Sequence, residues 1–251
     1  MSTMDIFKAA MEKAEAYAQA LPPEPPPLPL PQGAAIAGWI DHTLLKPTAT
    51  DEQIMTLCRE AMEYHFAAVC VNPAYLPLAQ GILTDKDVAA CAVISFPLGA
   101  HLPAQKAAEA RSVLQAGARE VDMVMNIGAM KSGAPYLVYT DIKAVADVVK
   151  EYDAHLKVII ETAYLTREEK ITACVLSQAA GADFAKTSTG FAPAGATVED
   201  VALMRRVVGP EMGVKAAGGI RTLADAQAMI RAGANRIGAS AGVAIVKEAS
   251  R

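Results

Sequence analysis

Two lysines lie near the ends of apolar segments in the second half of the chain. Lys186 belongs to the segment Ala182–Gly190, and Lys215 follows 29 residues later in the segment Gly213–Ile220. If the first segment is a strand, alternation places Lys186 on the same face as Phe184. An ammonium group is costly to bury without a partner, so a lysine among apolar neighbours is expected to be neutral or functional.

The two lysines together predict Schiff-base chemistry. A free lysine titrates near ~10.4, so its amine is almost fully charged at neutral pH. A second ammonium ~4 Å away costs roughly 4 kcal/mol at an effective dielectric of ~20, and burial acts in the same direction. We therefore expect Lys186 to be the nucleophile and Lys215 to keep it neutral. The alternative for one lysine is a packed stem with a solvated head group, but two such lysines favour catalysis.

Asp122 is the third candidate catalytic residue. In the segment Glu120–Asn126, alternation sends Asp122 and Asn126 to one face of a strand. A carboxylate on the buried face of a strand needs a cationic partner. Three lysines could supply it: Lys157, Lys186 and Lys215. We expect Asp122 to shuttle protons with Lys215; the alternative is an ion-pair network that only fixes strand register.

The pattern along the chain predicts an α/β protein. Strand-like segments are expected at 40–45, 67–72, 88–96, 120–126, 156–162, 182–188, 213–217 and 235–239. Helical patterns lie at 50–64, 74–83, 103–116, 134–152, 166–180, 197–208, 222–232 and 242–249. Capping-box residues support three of these helices, at Thr50, Thr166 and Thr222. Eight alternating pairs predict a (β/α)8 TIM barrel. An open doubly wound sheet is the second choice, because no G-x-G-x-x-G follows the first strand.

The first 32 residues differ from the rest. Residues 4–21 predict an amphipathic helix, and Pro22–Pro31 predicts an extended polyproline segment. We therefore expect two parts: a helix and Pro-rich extension at 1–32 and a catalytic barrel at 33–251. The proline segment is either a ligand for an SH3-like partner or a spacer that docks the helix on the barrel or on a neighbouring subunit. The spacer is favoured because basic anchors are missing nearby.

Active sites of such barrels lie at the C-terminal ends of the strands. Polar residues near those ends are Asp41, Thr43, Cys70, Asn72, Ser95, Asp122, Asn126, Lys157, Glu161, Lys186, Lys215 and Ser240. Cys70 is expected to be a small packing residue at the edge of the site, since no histidine is placed to activate it.

Two glycine turns near the end of the chain predict a phosphate site. The segments Ala217–Arg221 and Gly238–Gly242 follow the seventh and eighth predicted strands. Backbone N–H groups there, with a helix N-terminus, can bind an anion. Arg221 adds positive charge, although it could instead pair with Asp225.

Composition and residue spacing argue against several classes of protein. A net charge of −4 gives no general attraction to nucleic acid or anionic membranes, and no apolar run reaches the ~18 residues of a membrane span. The four cysteines form no C-x-x-C pair, and the four histidines have no metal-ligand spacing. We therefore expect a cytoplasmic protein without a metal or another cofactor.

Seven ordered motifs resemble those of the deoxyribose-phosphate aldolase family. They are Ile40–Leu45, Ala68–Pro73, Ser95–Gly99, Glu120–Asn126, Lys157–Glu161, Asp183–Gly190 and Val214–Arg221. The resemblance implies a metal-independent class I aldolase on a (β/α)8 barrel that reversibly splits 2-deoxy-D-ribose 5-phosphate into acetaldehyde and D-glyceraldehyde 3-phosphate. It implies the Schiff base at Lys186, the second lysine at Lys215 and the proton-relay aspartate at Asp122.

The resemblance also implies the phosphate-binding residues. Phosphate contacts fall on Gly190, Gly218, Gly219, Gly238 and Ser240, to which Arg221 adds charge. Among the polar residues of the strand ends and loops, we expect substrate contacts from Asp41, Thr43, Cys70, Asn72, Lys157 and Thr189. Expected partners are phosphosugar and aldehyde substrates and further copies of the chain, as a homodimer or homotetramer.

Two departures from the family pattern matter. Family members often have paired serines where this chain has Ser240 and Ala241, so one hydroxyl contact to phosphate is lost. Some members end in a tyrosine, whereas this chain ends Ala249-Ser-Arg251, so final protonation is expected to use Asp122, Lys215 and water. The alternatives are another phosphosugar Schiff-base aldolase or epimerase, or a non-catalytic barrel that binds phosphosugars.

Overall fold

Eight parallel strands close into a barrel in the order in which they occur along the chain. The computed structural model describes residues 2–83 and 87–251. The strands are β1 Ile40–Leu44, β2 Ala68–Val71, β3 Ala89–Ile94, β4 Glu120–Val124, β5 His155–Ile159, β6 Phe184–Lys186, β7 Gly213–Ala217 and β8 Arg236–Ala239. Because β1 pairs with both β2 and β8, the barrel prediction is confirmed and the open sheet is excluded.

Helices cover the outside of the barrel. They are α1 Thr3–Gln19, α2 Asp51–Tyr64, α3 Leu76–Ile82, α4 Pro103–Gln115, α5 Ile127–Lys131, α6 Pro135–Glu151, α7 Arg167–Ala180, α8 Val198–Val208, α9 Leu223–Arg231 and α10 Gly242–Ala249. Short 3-10 helices span Gly33–Trp39, Pro73–Tyr75 and Thr162–Tyr164. The capping boxes expected at Thr50, Thr166 and Thr222 are all formed.

Several strands end earlier than predicted. The strand predicted at 120–126 stops at Val124, and the strand predicted at 182–188 contains only Phe184–Lys186. The side chain of Asn126 accepts a hydrogen bond from the backbone of Ala129 and caps α5, a helix that the sequence pattern did not predict. Asparagine competes well for backbone donors at helix starts, so it ends the strand and does not continue the inward face.

Strand register brings charged residues together inside the barrel. Asp122 on β4 is the register partner of Lys157 on β5. Lys215 on β7 is the partner of Lys186 on β6 and of Arg236 on β8. The outer faces of the strands pack against the helices through aliphatic side chains such as Val121 and Met123, which are fully buried. The barrel interior is therefore polar around Asp122 and the three lysines, where catalysis is expected.

The N-terminal segment packs on the outside of the barrel of the same chain. Ala10 and Ala14 of α1 are buried, and Phe7 contacts the rings of Tyr136 and Tyr139 on α6. The Arg206 guanidinium on α8 donates to the carbonyl of Pro22 at 2.7 Å. Of the sequence alternatives, docking of the first helix on the barrel fits these contacts.

We propose that residues 1–32 are an added layer and that residues 33–251 fold without it. A chain that starts at Gly33 should keep the barrel's circular dichroism spectrum and lose about 2–4 kcal/mol of unfolding free energy, because apolar surface on α6 and α7 becomes exposed. Urea denaturation measures this loss, and Arg206→Ala is a milder variant that removes only the link to Pro22. Failure of the shortened chain to fold would contradict the division. Unchanged stability would contradict a stabilising contact between α1 and the barrel.

Among the described residues, the helices are each too short or too polar for a bilayer crossing.

Candidate active site

Asp122 lies at the centre of the barrel and contacts three lysines. Its Oδ2 atom is 2.8 Å from Lys186 Nζ and 2.7 Å from Lys215 Nζ, and its Oδ1 atom is 2.8 Å from Lys157 Nζ. Because Lys186 and Lys215 contact the same oxygen, their nitrogens lie no farther apart than the sum of those two distances. The side chain of Lys186 is 3% exposed, whereas those of Lys157 and Lys215 are 0% exposed. Lys186 is also the last residue of β6, so of the three it is the one nearest the mouth of the barrel.

A second layer of charges supports the lysines. Lys215 Nζ is 2.5 Å from Asp41 Oδ2, and Asp41 Oδ1 is 2.7 Å from Arg236. The same guanidinium donates to both carboxylate oxygens of Glu120 at 3.1 Å, and Glu120 Oε2 is also 2.5 Å from Lys157 Nζ. Sequence reasoning included Asp41 and missed Glu120 and Arg236. The available signal was alternation, since Glu120 lies two residues before Asp122 on the same strand face.

These contacts determine which groups carry charge. Burial would raise the pKa of Asp122, but the charges of Lys157, Lys186 and Lys215 hold it well below its usual range. The pKa of Asp41 is lowered in the same way by Lys215, Arg236 and Lys157. Burial opposes the charge of Lys157 and Lys215, yet the nearby carboxylates raise the pKa of both ammonium groups above the usual value. The two fully buried lysines are therefore positively charged in the resting site.

Three of the expected substrate-binding residues make bonds within the protein. The Thr43 hydroxyl donates to the carbonyl of Asp41, and the Asn72 amide donates to the carbonyl of Leu45. The Thr189 hydroxyl accepts from the backbone of Phe191. These bonds shape the loops after β1, β2 and β6, and direct substrate contact by these side chains stays a prediction.

Cys70 is buried beside Cys91 in an apolar cluster inside the barrel. The Cys91 thiol donates to Asp122 Oδ1 at 3.1 Å. Possible ligand atoms of these three residues lie within 4.8 Å of one another, a spacing that could hold a metal ion. Three ammonium groups already neutralise this carboxylate, so a metal would have to displace positive charge. The expected absence of a metal stays a prediction.

Glycines of the loops after β6 and β7 form a group of turns, here called the glycine turns, that lie against one another. Gly190, Gly218 and Gly219 have φ angles of +86°, +86° and +83°, which other residues rarely adopt. A Cβ on Gly218 would lie 2.9 Å from the Cα of Gly195 and 3.6 Å from that of Gly190, so the two loops touch. The buried Ser188 hydroxyl nearby has no hydrogen-bond partner among the described residues. Sequence reasoning missed Ser188, although alternation places it on the face of Lys186 and Gly190.

The remaining predicted phosphate residues lie after β7 and in or after β8. Gly238 is inside β8, where a Cβ would come within 3.1 Å of Lys215 Cε, so this glycine makes room for the lysine. Ser240 is exposed just before α10. Arg221 is exposed, and its backbone N–H donates to Asp225. The link between Arg221 and Asp225 is therefore made by the backbone.

A sequence model described as DeoC/LacD family aldolase matches residues 36–248. The chain belongs to this family. Its relatives include the deoxyribose-phosphate aldolases of Thermoanaerobacter sp. (59% identity, covering 85% of this chain and 96% of the relative) and Thermococcus gammatolerans (61% identity, covering 86% and 97%).

Solved structures of the family agree with the fold. A deoxyribose-phosphate aldolase from Aeropyrum pernix, described as having a unique tetrameric structure, shares 34% identity with a TM-score of 0.81 and covers 98% of this chain and 97% of its own. A structure from Coccidioides immitis, assigned provisionally to the same activity, shares 45% identity with a TM-score of 0.90 and covers 96% and 97%. The aldolase prediction is confirmed at the level of the family, and the N-terminal extension lies within the aligned length of both structures.

Proposed function

We propose that this aldolase reversibly cleaves 2-deoxy-D-ribose 5-phosphate to acetaldehyde and D-glyceraldehyde 3-phosphate through a Schiff base on Lys186. The observation that carries the proposal is the sharing of Asp122 Oδ2 by Lys186 and Lys215. Relatives that are deoxyribose-phosphate aldolases and match most of this chain at about 60% identity support this choice of substrate.

The first stage makes a covalent bond between enzyme and sugar. The neutral amine of Lys186 adds to the C1 aldehyde carbon of the open-chain sugar and gives a carbinolamine. Loss of water, with a proton supplied to the departing hydroxyl, gives the protonated imine. The Lys215 ammonium is the nearest charged donor to Lys186, because both contact the same oxygen of Asp122.

The second stage breaks the carbon–carbon bond. A base removes the proton from the C3 hydroxyl, the C2–C3 electron pair moves into the protonated imine, and glyceraldehyde 3-phosphate leaves. The remaining enamine takes a proton at C2, and water then releases acetaldehyde and returns the free amine. Electron flow into the protonated imine neutralises the nitrogen of Lys186, so Asp122 loses one cationic partner as the bond breaks and its oxygen becomes a better proton acceptor.

We propose that the phosphate binds at the glycine turns after β6 and β7, with Ser188 and Ser240 as hydroxyl donors. No metal or other cofactor has a role in these steps. The tetrameric relative supports assembly into a homo-oligomer. The cytoplasm suits the four free cysteines, since thiols persist in a reducing compartment.

Acetaldehyde release from a substrate panel tests the proposal. We expect deoxyribose 5-phosphate to be cleaved much faster than ribose 5-phosphate, with no effect of EDTA. Epimerisation of a pentose phosphate without acetaldehyde release would reject the proposal in favour of an epimerase. Binding of deoxyribose 5-phosphate without turnover would reject it in favour of a binding protein.

Gly218→Ala tests the phosphate site. A methyl group there meets Gly195 at 2.9 Å and forces a backbone with φ +86°. We expect KM for deoxyribose 5-phosphate to rise about tenfold or more, because loss of one to two contacts to an anion costs roughly 1.5–3 kcal/mol each. Turnover of unphosphorylated deoxyribose should change little.

Gly181→Ala is the matched control for this variant. Gly181 has a φ of +93° at the end of α7, with nothing within 4 Å of an added Cβ. It should lose stability without a change in KM. An equal loss of activity toward both substrates in Gly218→Ala would contradict phosphate binding at these glycine turns.

A further inference from the structure

Six side chains inside the barrel form a closed circuit in which positive and negative groups alternate. We call them the charge ring. The ring runs through Arg236, Asp41, Lys215, Asp122, Lys157 and Glu120, and then returns to Arg236. Each link is an ion pair of 3.1 Å or shorter. Every member therefore has two oppositely charged neighbours along the ring, and Asp41 and Lys157 also approach each other across it at 3.7 Å.

The charge ring is neutral, since it has three basic and three acidic members. Lys186 is bound to the ring from outside, through Asp122 alone among the carboxylates of the described residues. Its charge is therefore the one that the ring does not balance. Loss of its proton leaves the ring complete, whereas loss of a proton from Lys157 or Lys215 would leave two carboxylates undercompensated.

Other titratable groups also face Lys186. Glu161 after β5 and Cys70 on β2 face it, and Cys91 on β3 contacts Cys70 and Asp122. Glu161 is bound to the backbone N–H of Thr189 by both carboxylate oxygens, at 3.3 and 3.2 Å. Substitution of a ring residue leaves these three groups in place. The direction in which the pH of imine formation shifts therefore depends on the change of ring charge.

We propose that Arg236 and Glu120, at the far side of the ring from Lys186, are positioning residues that make Lys186 the amine that reacts. Neither is in contact with Lys186, and both lie at the N-terminal ends of their strands, away from the substrate mouth. They act through the charge balance of the ring and through the positions of Asp41 and Lys157. The inference rests on the proposed Schiff-base role of Lys186.

The proposal predicts opposite effects for the two residues. Arg236→Met removes a positive charge, so the interior holds the Lys186 proton more strongly and imine formation requires a higher pH. Glu120→Gln removes a negative charge, so imine formation extends to lower pH. A unit charge ~10 Å away at an effective dielectric of ~20 moves the midpoint, which is the pH at which imine formation reaches half its maximal rate, by about one pH unit. The double variant should return close to the parent.

Reductive trapping measures the midpoint directly. The full-length enzyme is mixed with acetaldehyde and cyanoborohydride across a pH series, and mass spectrometry follows the rate of ethylation at Lys186. The amine and the aldehyde lose water to form the imine, which hydride from cyanoborohydride then reduces. We expect the half-maximal rate at higher pH for Arg236→Met and at lower pH for Glu120→Gln.

Two buried charges outside the ring provide controls. Arg205 on α8 donates to the carbonyls of Gly233 and Met212, and Asp141 on α6 pairs with Lys106 at 2.6 Å. Arg205→Met and Asp141→Asn should lose stability and keep the parent midpoint. If Arg236→Met does not fold, Arg236→Gln makes the same change of charge and carries the same prediction.

Shifts in the same direction for both ring variants would overturn the proposal, as would unchanged midpoints or shifts of equal size in the controls. Absence of any Lys186 adduct in the parent enzyme, at every pH, would instead reject the Schiff-base role itself.

Discussion

Lys186→Met abolishes aldolase turnover, by about 10⁴-fold or more, while the protein stays as stable as the parent. The loss follows because the covalent route needs the amine, and no remaining group can replace a covalent nucleophile. Stability is retained because Asp122 keeps two other ammonium partners, Lys157 and Lys215, at 2.8 and 2.7 Å. Steady-state kinetics with deoxyribose 5-phosphate and urea denaturation measure the two halves of this prediction.

Lys170→Met is the matched control. Lys170 on α7 pairs with Asp200 at 2.6 Å, so it too is a lysine bonded to one carboxylate, but it lies outside the barrel interior. Its replacement should leave turnover within a factor of about two. Residual turnover of more than about 1% in Lys186→Met would contradict the nucleophilic role.

Asp122→Asn has the second largest expected effect, and it acts on both stability and activity. Three ammonium groups lose their common counter-charge, and removal of one partner of a buried ion pair costs roughly 3–5 kcal/mol. Turnover should fall by about 10²–10⁴-fold, the usual range for loss of a positioned acid–base group. Denaturation and steady-state assays at pH 7 measure both quantities.

The stability loss should depend on pH in a defined direction. Burial opposes ionisation, but the lysine charges hold the pKa of Asp122 well below its usual range in the folded state. The ionised carboxylate therefore contributes stability that is present above its unfolded pKa of ~3.9 and is lost as pH falls through the folded pKa. The stability difference between parent and Asp122→Asn should shrink below pH ~4. A difference that stays constant into acid would contradict the ion-pair account.

Much of the site could be predicted because its residues lie at recognisable places in strands. Lys186 ends β6, and Asp122 and Lys215 stand at the middle of β4 and β7, all three on the inward face of the barrel. Alternation and strand order were therefore enough to bring three distant segments together. The capping boxes helped by fixing where the helices between those strands begin.

The site residues that the sequence analysis did not select lie where the rule of C-terminal strand ends does not apply. Glu120 and Arg236 begin their strands, at the end of the barrel opposite the active-site mouth, so a search of C-terminal strand ends passes them by. Their importance comes from pairing across the interior, which depends on register. Gly238 was predicted to contact phosphate, yet its position against Lys215 Cε depends on the size of its neighbour's side chain. Sequence patterns specify neither the pairing of charges across the barrel interior nor the packing of Gly238 against Lys215.

Asn126 illustrates a local competition that periodicity cannot settle. Strand alternation assigned it to the interior, but its side chain accepts from the backbone of Ala129 and starts α5. The capping bond is formed within four residues and ends the strand at Val124. Boundaries of this kind depend on which backbone donors are left free when the barrel closes.

Peptide mapping after borohydride reduction tests the central claim most directly. The parent enzyme is incubated with deoxyribose 5-phosphate or acetaldehyde, reduced, digested and analysed by mass spectrometry. We expect one modified residue, Lys186, with either substrate, and no modification at Lys157 or Lys215. An adduct on Lys215 or Lys157, or turnover without any trapped adduct, would contradict the assignment of the reacting amine.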